Sequence, residues 1–182
     1  MTDFEELYKK IIPVSNYQHR NGFSNKHLID NLSEIEFFKI EAELIKNLET
    51  SDDTLIGETL AYMKSNKALP FLRNKLINVD KPIYKIFWAN YIYKINNTEN
   101  DIIDISFQEF LKIKDKYELG GAFYLLTEFH DKAINDIIAT YINDKEYLVA
   151  YHARQSLGID LSELIQREQK NTKQDSWWKF WK

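Results

Sequence analysis

Cysteine is absent from the 182 residues. Disulfide scaffolds, thiolate zinc sites and cysteine nucleophiles are thereby excluded. Glycine and proline are scarce, at five and three. So few cannot serve the many tight turns of an all-β sandwich, and their scarcity favours long helices. No stretch approaches the ~20 apolar residues of a membrane helix, and stable membrane insertion is not expected. The opening Met1-Thr2-Asp3-Phe4-Glu5-Glu6-Leu7 is acidic and has no apolar run like a signal peptide, so the expected location is cytoplasmic. Nor is there a block of one charge. The 24 basic and 28 acidic residues give a formal charge of -4 and are mixed along the chain. Nucleic-acid binders usually carry a basic surplus that neutralises phosphate, so nucleic acid is not an expected partner.

What is present fits a folded chain. Apolar residues make up 44% and charged residues 29%, ordinary values for a globular protein long enough for one core. The strongest pattern is internal. Lys67-Ala68-Leu69-Pro70-Phe71-Leu72 through Ile77-Asn78 parallels Lys132-Ala133-Ile134 through Ile142-Asn143, at an offset of 65 positions. That is about two units of a helix-pair repeat. An Asp-Lys pair recurs at Asp80-Lys81, Asp115-Lys116 and Asp144-Lys145, with Asp52 or Asp53 as an earlier equivalent. Each stands between helical patterns, where an Asp can cap the free N–H groups of a first turn. Pro82 suits a first helical position.

The pattern predicts an N-terminal helix over 2–12 and a polar loop over 13–26. Four antiparallel pairs follow: 33–49 with 53–64, 67–78 with 82–95, 101–114 with 116–129, and 132–143 with 146–157. By function the chain divides into a capping region 1–32, repeats 33–158, and a helix with a Trp-rich tail over 159–182. A short capping helix is expected over 161–169, followed by a polar linker over 171–175.

The runs Leu60-Ala61-Tyr62-Met63 to Ala68-Leu69-Pro70 and Val149-Ala150-Tyr151-His152-Ala153 to Gly158 resemble HEAT repeats. In that family the second helix carries a small residue before a Leu, and after a short turn an Ala-apolar-Pro start opens the next helix. The resemblance implies an all-α superhelix, an α-solenoid whose second helices line a concave binding surface. This chain departs from the pattern in lacking the basic residue early in most second helices, and in having Gly120-Gly121 in the third pair. Close helix packing or a kink accounts for those glycines better than a ligand site.

Helical spacing puts Val149, Ala153, Ser156 and Leu157 on one side of their helix and Tyr147, Tyr151 and Arg154 opposite. A similar register puts Ile83, Ile86, Asn90 and Tyr93 on one side of theirs, with Tyr84, Trp88 and Tyr91 opposite. Tyr, Trp and Arg dominate interface hot spots, so the two stripes are candidate protein-binding faces. Aromatics at this spacing also form cores, and the sequence leaves Trp88 open between the two. The segment Ser176-Trp177-Trp178-Lys179-Phe180-Trp181-Lys182 holds three of the four tryptophans. It can dock back as an end cap or bind a partner; alone it binds membrane only weakly. Its Trp177, Trp178 and Trp181 join the candidate residues.

The four histidines, His19, His27, His130 and His152, lack zinc spacing, and no phosphate loop or nucleophile elbow occurs. No cofactor and no catalytic residue is expected. The reading is a non-enzymatic scaffold that binds another protein. A narrower alternative is a bacterial immunity-type inhibitor that caps a toxin or enzyme. A more distant one is a HEAT-like alkylpurine DNA glycosylase, which the missing basic surplus disfavours.

Overall fold

A computed structural model describes residues 3–16, 19 and 22–178. The described residues are all-α, with eleven α-helices, one 3-10 turn and no strand. In chain order they are α1 (Asp3–Ile11), α2 (Lys26–Asp30), α3 (Glu34–Thr50), α4 (Thr54–Tyr62), the 3-10 turn Asn66–Ala68, α5 (Leu69–Asn78), α6 (Pro82–Ile95), α7 (Asn100–Phe110), α8 (Lys116–Thr127), α9 (Lys132–Ala139), α10 (Tyr147–Ser156) and α11 (Ser162–Trp178). The contacts divide the chain into two compact units, Met1–Ile102 and Ile103–Lys182.

The helix starts follow from local chemistry. Ser33 and Glu36 form a reciprocal capping box at α3. Asp53, Asp115 and Asp131 accept first-turn N–H groups of α4, α8 and α9. The expected Asp-Lys caps therefore need correction. Asp115 caps as anticipated, but Lys81 occupies the N-cap position of α6 without a side-chain bond. Asp144 instead accepts from the Glu146 amide at 2.8 Å, one residue before α10. Three second helices stop the same way. Lys64 (φ 55), His130 (φ 54) and Gly158 (φ 69) adopt the left-handed conformation just past α4, α8 and α10. At two of these ends the next amide reaches back five residues, Ser65 to Leu60 O and Ile159 to Arg154 O.

In the first unit, three-residue links double α3 back into α4 and α5 back into α6. The pairs then stack with equivalent helices side by side. Glu41 of α3 accepts from Lys67 just before α5, and Asp52 beyond α3 accepts from Lys75 in α5, each at 2.8 Å. Gly57 of α4 faces Trp88 and Tyr91 of α6, and Lys64 Nζ, beyond the end of α4, bonds Lys94 O near the end of α6. Middle meets middle and end meets end, so α4 and α6 run in the same direction. The core contains Ile40, Leu44, Leu48, Leu60, Leu72, Ile86 and Ile92, all fully buried. The polar loop contributes as well. Asn25 is buried and donates to Ile11 O (3.0 Å) and Thr59 Oγ1 (2.7 Å), tying α1 to α4.

The second unit repeats the scheme. Phe110, Phe123 and Tyr141 form a ring cluster with centroids 5.3–6.1 Å apart. Helices α8 and α10 lie side by side in the same direction, joined by Lys116–Glu146 near their starts and Tyr124–Gln155 near their ends. These contacts and Lys64–Lys94 join residues 30 or 31 apart, the length of one helix pair. Leu164 anchors α11. The polar linker expected over 171–175 is helical instead. It contains no Gly or Pro to break the helix, so α11 continues to Trp178.

Close approach of second helices requires glycine at two positions. A Cβ on Gly57 would stand 2.6 Å from both the Trp88 and Tyr91 rings, and one on Gly120 would stand 2.7 Å from the His152 ring. Gly121 meets nothing within 4 Å. Gly57→Ala is therefore expected to lower the unfolding midpoint by forcing two core rings aside. Gly121→Ala should stabilise by about 0.5–1 kcal/mol through helix propensity alone. Urea titrations of the two variants check the opposite signs.

Glu41 supplies a pH signature. Burial pushes its carboxyl up, but the bond from Lys67 and the Lys67 charge outweigh that and hold it below its ordinary value of 4.5. A carboxyl lower in the folded than in the unfolded chain gives stability that is complete above its unfolded value and lost as pH falls through its folded value. Glu41→Gln is expected to flatten the fall in unfolding midpoint between pH 6 and pH 3, measured by urea titration across that range.

Candidate protein-binding faces

The candidate aromatic residues separate by environment. On α6, Trp88 and Tyr91 are 1% and 3% exposed. As surface residues they are corrected: both belong to the core. The reason is that α6 packs against α4 as well as α5, so both its flanks are covered. Gly57 leaves the space that the two rings fill, and the rings meet edge to face at 5.8 Å. Tyr84, one turn before Trp88, stays at the surface with 38% exposure. It lies in a cleft of about 690 Å³ with Glu49, Asp52, Asn74, Lys75, Asn78, Val79, Asp80, Lys81 and an edge of Trp88. Lys81 Nζ stands 6.0 Å from the Tyr84 ring.

In the second unit, Tyr147 and Tyr151 are half-buried and stack one turn apart, with ring centroids at 5.9 Å. Tyr151 meets the His152 ring edge on at 5.4 Å. Tyr124 of α8 adds a third hydroxyl. Its Oη lies 3.0 Å from His152 Nδ1 and donates to Gln155 Oε1 at 2.5 Å. Burial, and then the nearby Tyr151, push the Tyr124 phenol above its ordinary value of 10. It stays a neutral hydroxyl and hydrogen-bond donor near neutral pH. Tyr117 extends this face and is 69% exposed. The face therefore presents aromatic rings with hydroxyl tips and little net charge, Lys116 being paired with Glu146 at 3.2 Å.

Arg154 has a different task from the one its stripe implies. Its Nε donates to Ile142 O (2.8 Å), Nη1 to Asp160 O (3.0 Å) and Nη2 to Asn143 Oδ1 (2.9 Å). All three nitrogens fasten the link before α10 to the segment before α11, and the residue is only partly accessible. Trp177 and Trp178 occupy the end of α11; their side chains, and Trp181 altogether, lie outside the described residues. Sequence spacing missed Tyr124, Tyr117 and His152. Gly120 was the available signal, since a glycine inside a helix marks where a neighbouring element comes close.

Among the described residues no group of three or more His, Asp or Glu side chains is arranged to hold a metal ion. No helix among them is long and apolar enough to cross a membrane. No protein-family model, no curated protein and no solved structure matches the chain.

The different environments predict different costs of truncation. Trp88→Ala is expected to cost about 3–5 kcal/mol, the range for emptying a buried aromatic site. Tyr147→Ala, which removes a half-buried ring, should cost about 1 kcal/mol. Chemical unfolding of the two variants measures the difference.

Proposed function

We propose that this chain is a HEAT-like α-solenoid that acts as a non-enzymatic protein-binding scaffold, using the exposed faces of its second helices. The observation that carries the reading is the aromatic face of α8 and α10. Tyr117, Tyr124, Tyr147 and Tyr151 stand on two helices that run side by side, with His152 and Gln155 between or beside them. Tyrosine suits such a face because it offers a large rigid contact area and a polar tip at low entropic cost. Further support comes from the 30- or 31-residue stagger of the second helices in each unit and from the left-handed stops after α4, α8 and α10. Repeat scaffolds bind through surfaces built this way, and the side chains on those surfaces decide the partner.

The test is a comparison of the wild-type chain and a Tyr124→Ala/Tyr151→Ala variant as baits in lysate of the source cells. Retained proteins are quantified by mass spectrometry, and both baits are checked for equivalent unfolding midpoints. A protein held near stoichiometry by the wild type and reduced at least about tenfold by the variant is the expected result. Identical sets on the two baits would reject this face as the working surface.

A further inference from the structure

We infer that the cleft of the first unit, beside Tyr84, docks a cationic segment of a partner protein and takes an Arg or Lys side chain. The inference deepens the protein-binding reading and rests on it, but it concerns a different unit from the α8/α10 face. Five charged side chains line the cleft. Asp52 and Lys75 already pair at 2.8 Å. Glu49 and Asp80 are exposed carboxylates that form no ion pair or side-chain hydrogen bond among the described residues. The backbone adds charge of the same sign. Glu49 stands in the last turn of α3 and Asn78 ends α5, so two helix C-termini, with their outward carbonyls, adjoin the cleft. Helix α6 also begins here; Pro82 removes one of its first-turn N–H donors, so its positive end opposes a cation less than an ordinary helix start would.

The cleft also has a surface suited to a cation. Tyr84 presents its ring, and Lys81 already stands over it at 6.0 Å, the separation at which a ring quadrupole attracts an ammonium or guanidinium. A guanidinium there can stack on the ring and donate in its plane to a carboxylate. At about 690 Å³ the cleft accommodates a long side chain and its neighbours. Lys81 opposes such a ligand, which gives the inference a signed consequence. Removing a carboxylate must weaken binding, and removing Lys81 must strengthen it.

The experiment uses the full chain and a fluorescein-labelled Ala-Arg-Ala-Leu-Arg-Ala peptide, read by fluorescence anisotropy at low salt. The same peptide with Glu in place of Arg is the control. The Arg peptide is expected to bind and the Glu peptide not. Glu49→Gln/Asp80→Asn should weaken binding about fivefold, the scale of two exposed ion pairs, whereas Lys81→Ala should tighten it. Asp104→Asn, an exposed carboxylate of the second unit, lowers the overall negative charge without touching the cleft and should leave binding unchanged. No binding of the Arg peptide would overturn the inference. So would equal weakening by Asp104→Asn, or Lys81→Ala failing to tighten. Loss of this inference alone leaves the capture result at Tyr124 and Tyr151 standing, so the two failures are distinguishable.

Discussion

The fold depends on second helices approaching closely enough for an aromatic side chain of one to rest on a glycine of the other. Gly57 receives Trp88 and Tyr91, and Gly120 receives His152. A methyl group at either position would sit inside the ring's van der Waals envelope, so helix spacing is set there rather than by the larger residues around it. Close packing then transmits that spacing. With Leu60, Ile86 and Ile92 wholly buried, the helices cannot separate without opening a void. In each unit the contact falls between helices that run in the same direction about one pair apart in sequence. One local device thus repeats the same stacking step.

Around those contacts, polar side chains fix segments that helices alone leave free. Asn25 joins the loop after α1 to α4, and Arg154 closes the links on either side of α10. Each such bond is worth roughly 0.5–1.5 kcal/mol net, comparable with the entropy of ordering one loop residue. Glu41 is more exacting, because its buried carboxylate is tolerated only while Lys67 holds it. These residues specify where the links run, while the apolar core supplies the cohesion.

Helix positions were legible in the sequence because their signals are local. Ser33, Asp53, Asp115 and Pro82 mark starts with their own side chains, and the helices begin within a residue of them. The candidate faces were half legible. Periodicity placed Tyr84, Trp88 and Tyr91 on one stripe of α6, but it cannot tell a stripe that meets solvent from one that meets a neighbouring helix. That distinction depends on α4 lying against α6, a contact between residues about thirty positions apart. Arg154 was misread for the same reason, since its acceptors lie in links on both sides of its helix. The helical segment over 171–175 was missed because polar composition resembles a linker even where no residue breaks the helix.

The two glycine contacts also explain why one stripe became core and the other stayed a surface. Gly57 admits two large rings, and with Trp88 and Tyr91 drawn in, Tyr84 alone of its stripe remains at solvent. Gly120 admits only the smaller imidazole of His152, whose neighbour Tyr151 and earlier companion Tyr147 are left partly accessible on the flank of α10. His152 then turns Nδ1 toward Tyr124 and holds that phenol at the edge of the same face. The identity of one side chain opposite a glycine thus decides whether a tyrosine stripe is spent on stability or kept for contact. An aromatic larger than histidine at 152 would press on the α8 backbone at Gly120 and widen the helix spacing on which that face is built.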